Sequence, residues 1–239
     1  MNDMSFSTIA HYYDALYVRP DMYGAEADAV DRILKRCGRS GGVRLLDVAC
    51  GTGGHLPFLK DRYEVEGLDL SDDMLRIARE KHPGVPFHLA DMTDFRLDAA
   101  YDAIICMYGG IGFAGTYDNA SRAVASMARH LAPGGVLLLV PWMTKETFHD
   151  ALVVDAVNRP EIGIARMENV RRKSESVVEV SFHHLIGENG QVRYHTQTME
   201  IGLFSEAEYV SLFRSSGLSL VERYTEPDIM MGAFVGRKD

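Results

Sequence analysis

Five short, nearly continuous apolar runs fall between residues 43 and 140: 43–49 (VRLLDVA), 63–70 (YEVEGLDL), 86–90, 101–107 (YDAIICM) and 136–140. A strand reads this way when both of its faces are buried. Helical spacing separates several of them. Leu56 and Leu59 follow the first run. Ser71 is an N-cap, with Asp72 and Asp73 in the first turn and Met74, Leu75, Ile77 and Ala78 on the buried side. Residues 118–131 turn Val124, Met127 and Leu131 inward. Strand alternating with helix calls for an α/β fold: a parallel, Rossmann-like sheet with right-handed crossovers and helices on both faces. Two helices precede the sheet, one over residues 3–17 (Phe6, Ile9, Tyr13, Leu16, Tyr17) and one over 25–37 (Ala29, Val30, Ile33, Leu34, Cys37), stopped by Gly38.

The pattern changes after Pro141. Residues 176–186 (SVVEVSFHHLI) alternate with period two, which puts Val178, Val180, Phe182, His184 and Ile186 on one face. Asn189-Gly190 is a tight-turn signal, and residues 192–203 return as the partner strand. Residues 141–203 are therefore expected to form a mostly antiparallel insertion that caps the carboxyl edge of the sheet. The α/β domain is then 1–140 together with 204–239. In its last part Ser205-x-x-Glu208 opens a helix carrying Tyr209, Leu212 and Phe213, Gly217 stops it, and 218–224 and 231–235 supply two more strands, seven in all.

Composition narrows the function. A net charge of −9 argues against a nucleic-acid partner, because a phosphate backbone needs a cationic footprint. No apolar run approaches the roughly 18 residues of a membrane span, and the N-terminus has neither the basic nor the apolar region of a signal peptide. A cytoplasmic protein without a membrane partner is expected. The three cysteines show no CxxC spacing, and His183 and His184 are adjacent on a strand and face opposite ways, so neither group reads as a metal site.

Ligands of an open α/β sheet bind outside the carboxyl ends of the strands. Four such ends carry chemistry here. The first is Asp47-Val48-Ala49-Cys50-Gly51-Thr52-Gly53, where glycines let the backbone come close to a ligand. The second is Asp69, a carboxylate able to accept both hydroxyls of a ribose, with Leu70 beside it and Met74 in the following helix. The third, Asp91-Met92, pairs a carboxylate with a soft apolar side chain, suited to an adenine amine and an adenine face. The fourth is Met107, where a small-residue turn leaves room for a reacting end. A dinucleotide fold wants G-x-G-x-x-G, and the third position here is Leu56. No tyrosine has a lysine four residues later, as short-chain dehydrogenases require. Asp47 would repel a pyrophosphate and favour a cationic amino acid or sulfonium. The physical reading is S-adenosylmethionine, and methyl transfer.

LLDVACGTGGHL, GLDLS, the Asp91-Met92 pair and the LAPGG turn resemble a class I S-adenosylmethionine-dependent methyltransferase. YDALY, CMYGGIGF, APGGVLLLVPW, ETF and GLFSEAEYVSLFRSSGL extend the likeness, over nearly the whole chain, to the N,N-dimethyltransferases of TDP-3-amino sugars. The resemblance implies cofactor contacts from Tyr23, Ala49, Gly51, Thr52, Asp69, Asp91, Met92 and Met107, and substrate contacts from Tyr17, Arg19, Trp142 and Arg166 in the insertion. It also implies a homodimer acting on a small-molecule acceptor, with S-adenosylhomocysteine as the other product.

Methyl transfer from a sulfonium needs alignment more than a strong base, and proximity can supply about 7–11 kcal/mol. Tyr17 is the candidate catalytic group, orienting the acceptor amine or relaying its proton. Phe113, Trp142 and Met231 are further acceptor contacts, and these three would better suit the alternative reading, an O- or C-nucleophile on an apolar acceptor. A cofactor-binding sensor without catalysis is the third reading.

Overall fold

The computed structural model describes residues 9–239, with the backbone alone at 220 and 221. Phe6, at the head of the expected first helix, lies outside the described residues. Helix α1 (Ala10–Tyr17) leads directly into α2 (Pro20–Cys37). α2 begins ahead of the apolar pattern because Pro20 takes its first turn, where no backbone N–H is needed.

The main sheet then builds as β1 (Arg44–Val48), α3 (Leu56–Leu59), β2 (Glu64–Asp69), α4 (Asp72–Lys81), β3 (Phe87–Leu89), β4 (Tyr101–Cys106), α5 (Tyr117–His130) and β5 (Leu131–Leu139). It is completed after the insertion by α6 (Glu206–Ser215), β10 (Leu218–Tyr224) and β11 (Ala233–Lys238). Caps explain the helix starts. The hydroxyl of Ser71 accepts the N–H of Met74, that of Thr116 accepts Asn119, and Ser205 and Glu208 form a reciprocal capping box.

The seven strands lie in the order β10-β11-β5-β4-β1-β2-β3. β11 runs antiparallel to both its neighbours, and the remaining pairs are parallel. Two apolar cores cover the faces, one built on Leu46, Ile104, Val124 and Phe234, the other on Leu45, Val30, Ile105 and Val235.

Between β5 and α6 lie four antiparallel strands: β6 (Ala151–Arg159), β7 (Ile162–Ser174), β8 (Val177–Glu188) and β9 (Gln191–Gly202), in that order across the sheet. The hairpin β8–β9 was legible from alternation and the Asn-Gly turn. β6 and β7 were not, because β7 places Arg166 and Glu168 at alternate positions where an apolar pattern would need hydrophobes. The inner face of this sheet, with Val178, Val180, Phe182 and Ile201, packs on Phe113, Trp142 and Phe148. Ile9, at the N-cap of α1, and Leu16 within it pack on Ile164 and Ile186 of the same face.

Candidate active site

β1 and β4 are neighbours from which the sheet is extended in opposite directions, so the crevice at their carboxyl ends is a topological switch point. The backbone there is strained. Ala49 after β1 has φ 58° and Tyr108 after β4 has φ 48°, left-handed values that cost a non-glycine residue about 1–3 kcal/mol. Such strain collects at functional sites. Gly51 has φ +54°, and a Cβ on it would meet no atom within 4 Å. Its missing side chain leaves an open cradle.

Asp69 faces that cradle with a fixed carboxylate. Oδ2 accepts the N–H of Gly51 at 2.8 Å and Oδ1 accepts that of Ser71 at 2.9 Å. Burial raises its pKa, and these backbone donors oppose the rise. Ala49, Ser71, Met74, Met92, Met107 and Phe113 complete the walls. A carboxylate at one end and thioethers around an apolar slot fit the ribose and adenine of S-adenosylmethionine. Three expected cofactor contacts fall outside the walls. Asp91 is exposed and its Oδ1 is taken by the N–H of Thr93 at 2.8 Å. Leu70 is 65 % exposed. At Gly53 a Cβ would stand 2.9 Å from the ring of His82, so this glycine serves the turn's packing.

A narrower recess continues the slot, walled by Tyr13, Tyr23, Asp47, Thr52, His55 and Met107. The Asp47 side chain is buried, and burial first, then the Asp69 carboxylate, push its pKa up to about 8. The empty recess thus favours its protonated form, and a bound cation favours the carboxylate. Tyr23, His55 and Tyr108 form a triangular cluster of rings, with centroids 4.4 Å (Tyr23–His55), 5.1 Å (Tyr23–Tyr108) and 5.5 Å (His55–Tyr108) apart, and His55 Nε2 lies 3.1 Å from the buried Glu26 carboxylate. The Thr52 hydroxyl donates to Asp14, which also pairs with Lys81, so α1 is fastened to the cofactor loop and to α4.

On the other side of these rings lies a chamber of about 200 Å³. Its walls include Tyr13, Tyr17, Phe113, Trp142, Glu168 and Phe182. Tyr13 and Tyr108 border all three compartments, which therefore adjoin at these two rings. Gly109 (φ +72°) lets the chain pass Trp142, since a Cβ there would sit 2.4 Å from that of the tryptophan. Of the expected acceptor contacts, Tyr17, Phe113 and Trp142 stand in the walls. Arg166 lies behind them, 4.7 Å from the centre of the Tyr17 ring. Arg19 and Met231 are not among the lining residues: Arg19 pairs with Asp155 at 3.1 Å, and Met231 packs against the core beside Ile229 and Ala233.

The Tyr17 hydroxyl donates to Glu168 Oε1 at 2.8 Å, and the same oxygen lies 3.0 Å from Arg166, which also reaches Asp155 at 3.4 Å. Burial and the Glu168 carboxylate raise the Tyr17 pKa, so the phenol stays protonated. Sequence reasoning missed Tyr13, Tyr108 and Glu168. Tyr13 reads as helix packing, the left-handed turn of Tyr108 has no sequence signal, and Glu168 reaches the cavity only through the fold of β7. Among the described residues no group of three histidines, cysteines or acids is placed to hold a metal ion, and no helix is long and apolar enough to cross a membrane.

A family described as methyltransferase domain matches residues 45–135. The dTDP-3-amino-3,4,6-trideoxy-alpha-D-glucopyranose N,N-dimethyltransferase of Streptomyces venezuelae is 40% identical over 233 residues, 95% of this chain and 96% of its own length. The crystal structure of Streptomyces venezuelae DesVI superposes with a TM-score of 0.89 at 35% identity, covering 96% of this chain and 98% of that one. CalS10 of Micromonospora echinaspora, an amino pentose methyltransferase solved with S-adenosylmethionine bound, gives a TM-score of 0.83 at 32% identity over 100% of both chains.

Proposed function

The chain belongs to the class I S-adenosylmethionine-dependent methyltransferases, and from that premise we propose that it methylates the amine of a nucleotide-linked amino sugar, in antibiotic biosynthesis. The observation that carries the reading is the pair of adjoining compartments: a cofactor slot and an aromatic chamber that share Tyr13, Tyr108 and Phe113, with Glu168 in the chamber wall. The relatives named above act on amino sugars, and the likeness to them spans both compartments.

When bound, S-adenosylmethionine supplies an activated methyl group. Asp69 and the Gly51 cradle hold its adenosine end, with Asp47, Thr52 and Tyr23 around its amino-acid end. Tyr13 and Tyr108 stand where the two compartments meet, so the acceptor nitrogen has to arrive between them. Tyr17 orients the acceptor side through its bond to Glu168. Helix α1, tied down by Asp14, covers the cavity and keeps water out. Residues 141–203 act as the cap over the acceptor. The outer face of that sheet exposes Leu152, Val154, Met167, Leu185, Val192 and Tyr194, an apolar patch of the kind that associates, and we assign it to a homodimer contact in a cytoplasmic enzyme.

The test is incubation of the purified protein with S-adenosylmethionine and a dTDP-linked 3-amino sugar, read by mass spectrometry. One or two added methyl groups on nitrogen are expected. Transfer only to phenolic or carboxylic acceptors would replace this reading with that of an O-methyltransferase.

A further inference from the structure

We propose that Glu168 selects the acceptor: it binds the incoming nitrogen as a cation and takes its proton before methyl transfer. The inference rests on the amine acceptor argued above.

Among the described residues, Glu168 is the one charged side chain in the wall of the acceptor chamber. It projects from the inner face of the cap sheet, opposite Phe182 in register, and its side chain is only 13% exposed. A carboxylate in such a place is costly unless a charge offsets it. Arg166 supplies that charge, but Arg166 is shared with Asp155, which Arg19 also engages. Two arginines and two carboxylates balance, so Arg166 does not overwhelm the negative charge of Glu168. Among the described residues the hydrogen bond from Tyr17 and the ion pair with Arg166 both fall on Oε1. The other oxygen, Oε2, is assigned to the acceptor nitrogen. The other groups facing the pair are the neutral phenols of Tyr13 and Tyr17 on α1 and, on β8 across from Arg166, the buried His184, whose pKa burial lowers to about 4. His184 is therefore uncharged at neutral pH and does not compete for Glu168. Aromatic rings of Tyr13, Tyr17, Phe113 and Trp142 complete a wall that attracts a cation.

A sugar amine arrives largely protonated. The proton passes from the ammonium nitrogen to Glu168 Oε2, which leaves a neutral amine and a carboxylic acid. The nitrogen lone pair then forms the N–C bond as the S–C bond breaks, and the bonding pair stays on sulfur. The product leaves as the methylated ammonium, and Glu168 returns its proton to water. A hydroxyl acceptor would gain a hydrogen bond at this site but no ion pair.

The test is Glu168→Gln, with Trp142, the only tryptophan in the chain, as the fluorescent reporter of acceptor binding. With S-adenosylhomocysteine bound, the wild-type enzyme is expected to prefer a dTDP-3-amino sugar over its 3-hydroxyl counterpart, and Glu168→Gln to lose that preference by about 100-fold. Its kcat/KM is expected to rise with pH until the amine deprotonates in solution, whereas the wild-type profile rises earlier. Cofactor affinity by calorimetry should stay within about twofold, since Glu168 is outside the cofactor slot. The double variant Arg166→Met/Glu168→Gln removes the stranded arginine and should show the same loss, which separates recognition from a folding defect. An unchanged preference and pH profile in both variants would overturn the assignment of Glu168 alone. Failure of the wild-type enzyme to bind or methylate the amino sugar would overturn the proposed function and this inference with it.

Discussion

Replacement of Asp47 by asparagine tests the electrostatics of the cofactor recess most directly. Asp47 lies in the wall of the recess assigned to the cationic amino-acid end of the cofactor, and its carboxyl group is pushed up to about 8 by burial and by Asp69. With that value, about nine in ten molecules carry the proton at pH 7. A bound ammonium favours the carboxylate, so binding expels the proton. The free protein then binds S-adenosylhomocysteine about tenfold more weakly at pH 7 than at pH 9, a difference of about 1.4 kcal/mol. Calorimetry in buffers of different ionisation enthalpy should register about 0.9 proton released at pH 7 from this group. The ligand's own amine titrates in the same range, so the comparison is wild type against Asp47→Asn, in which only the ligand's share remains. The stability of the free protein gives the opposite sign. A folded pKa above the unfolded one contributes stability at low pH that is lost as pH rises toward 8, and Asp47→Asn should flatten that decline in Tm. Parallel affinity profiles and equal proton release in the two proteins would refute the idea that Asp47 is neutral in the empty recess.

Three further outcomes follow from the same geometry. Asp69→Ala should weaken S-adenosylhomocysteine binding by about 2–4 kcal/mol in calorimetry, because it removes a carboxylate already oriented by the N–H groups of Gly51 and Ser71. Tyr17→Phe deletes one hydrogen bond to Glu168, worth about 1 kcal/mol, so kcat should fall about fivefold in steady-state assays while cofactor affinity holds; unchanged turnover would remove Tyr17 from the mechanism. Gly109→Ala places a Cβ against Trp142 at a left-handed φ and should destabilise by about 2 kcal/mol or more in denaturant titration followed by tryptophan fluorescence.

The main sheet was readable because its strands are buried on both faces and its helices carry single apolar stripes, signals that local sequence contains. Asp69, Met92, Met107 and the Gly51 loop were legible for the same reason: they end strands, and the fold type alone puts strand ends at one rim. Tertiary structure decided what depends on residues far apart in the chain. Glu168 reaches the cavity because β7 lies under α1 with its inner face toward Tyr17, a contact across 151 positions that no local pattern encodes. Asp47 was visible as an acid, but its protonation depends on burial between elements and on the charge of Asp69. Arg19 looked like an acceptor contact until the fold gave it Asp155 as a partner. Periodicity fixes which face of an element is buried; the dielectric around a charge, and which opposite charge meets it, are set only when the elements pack.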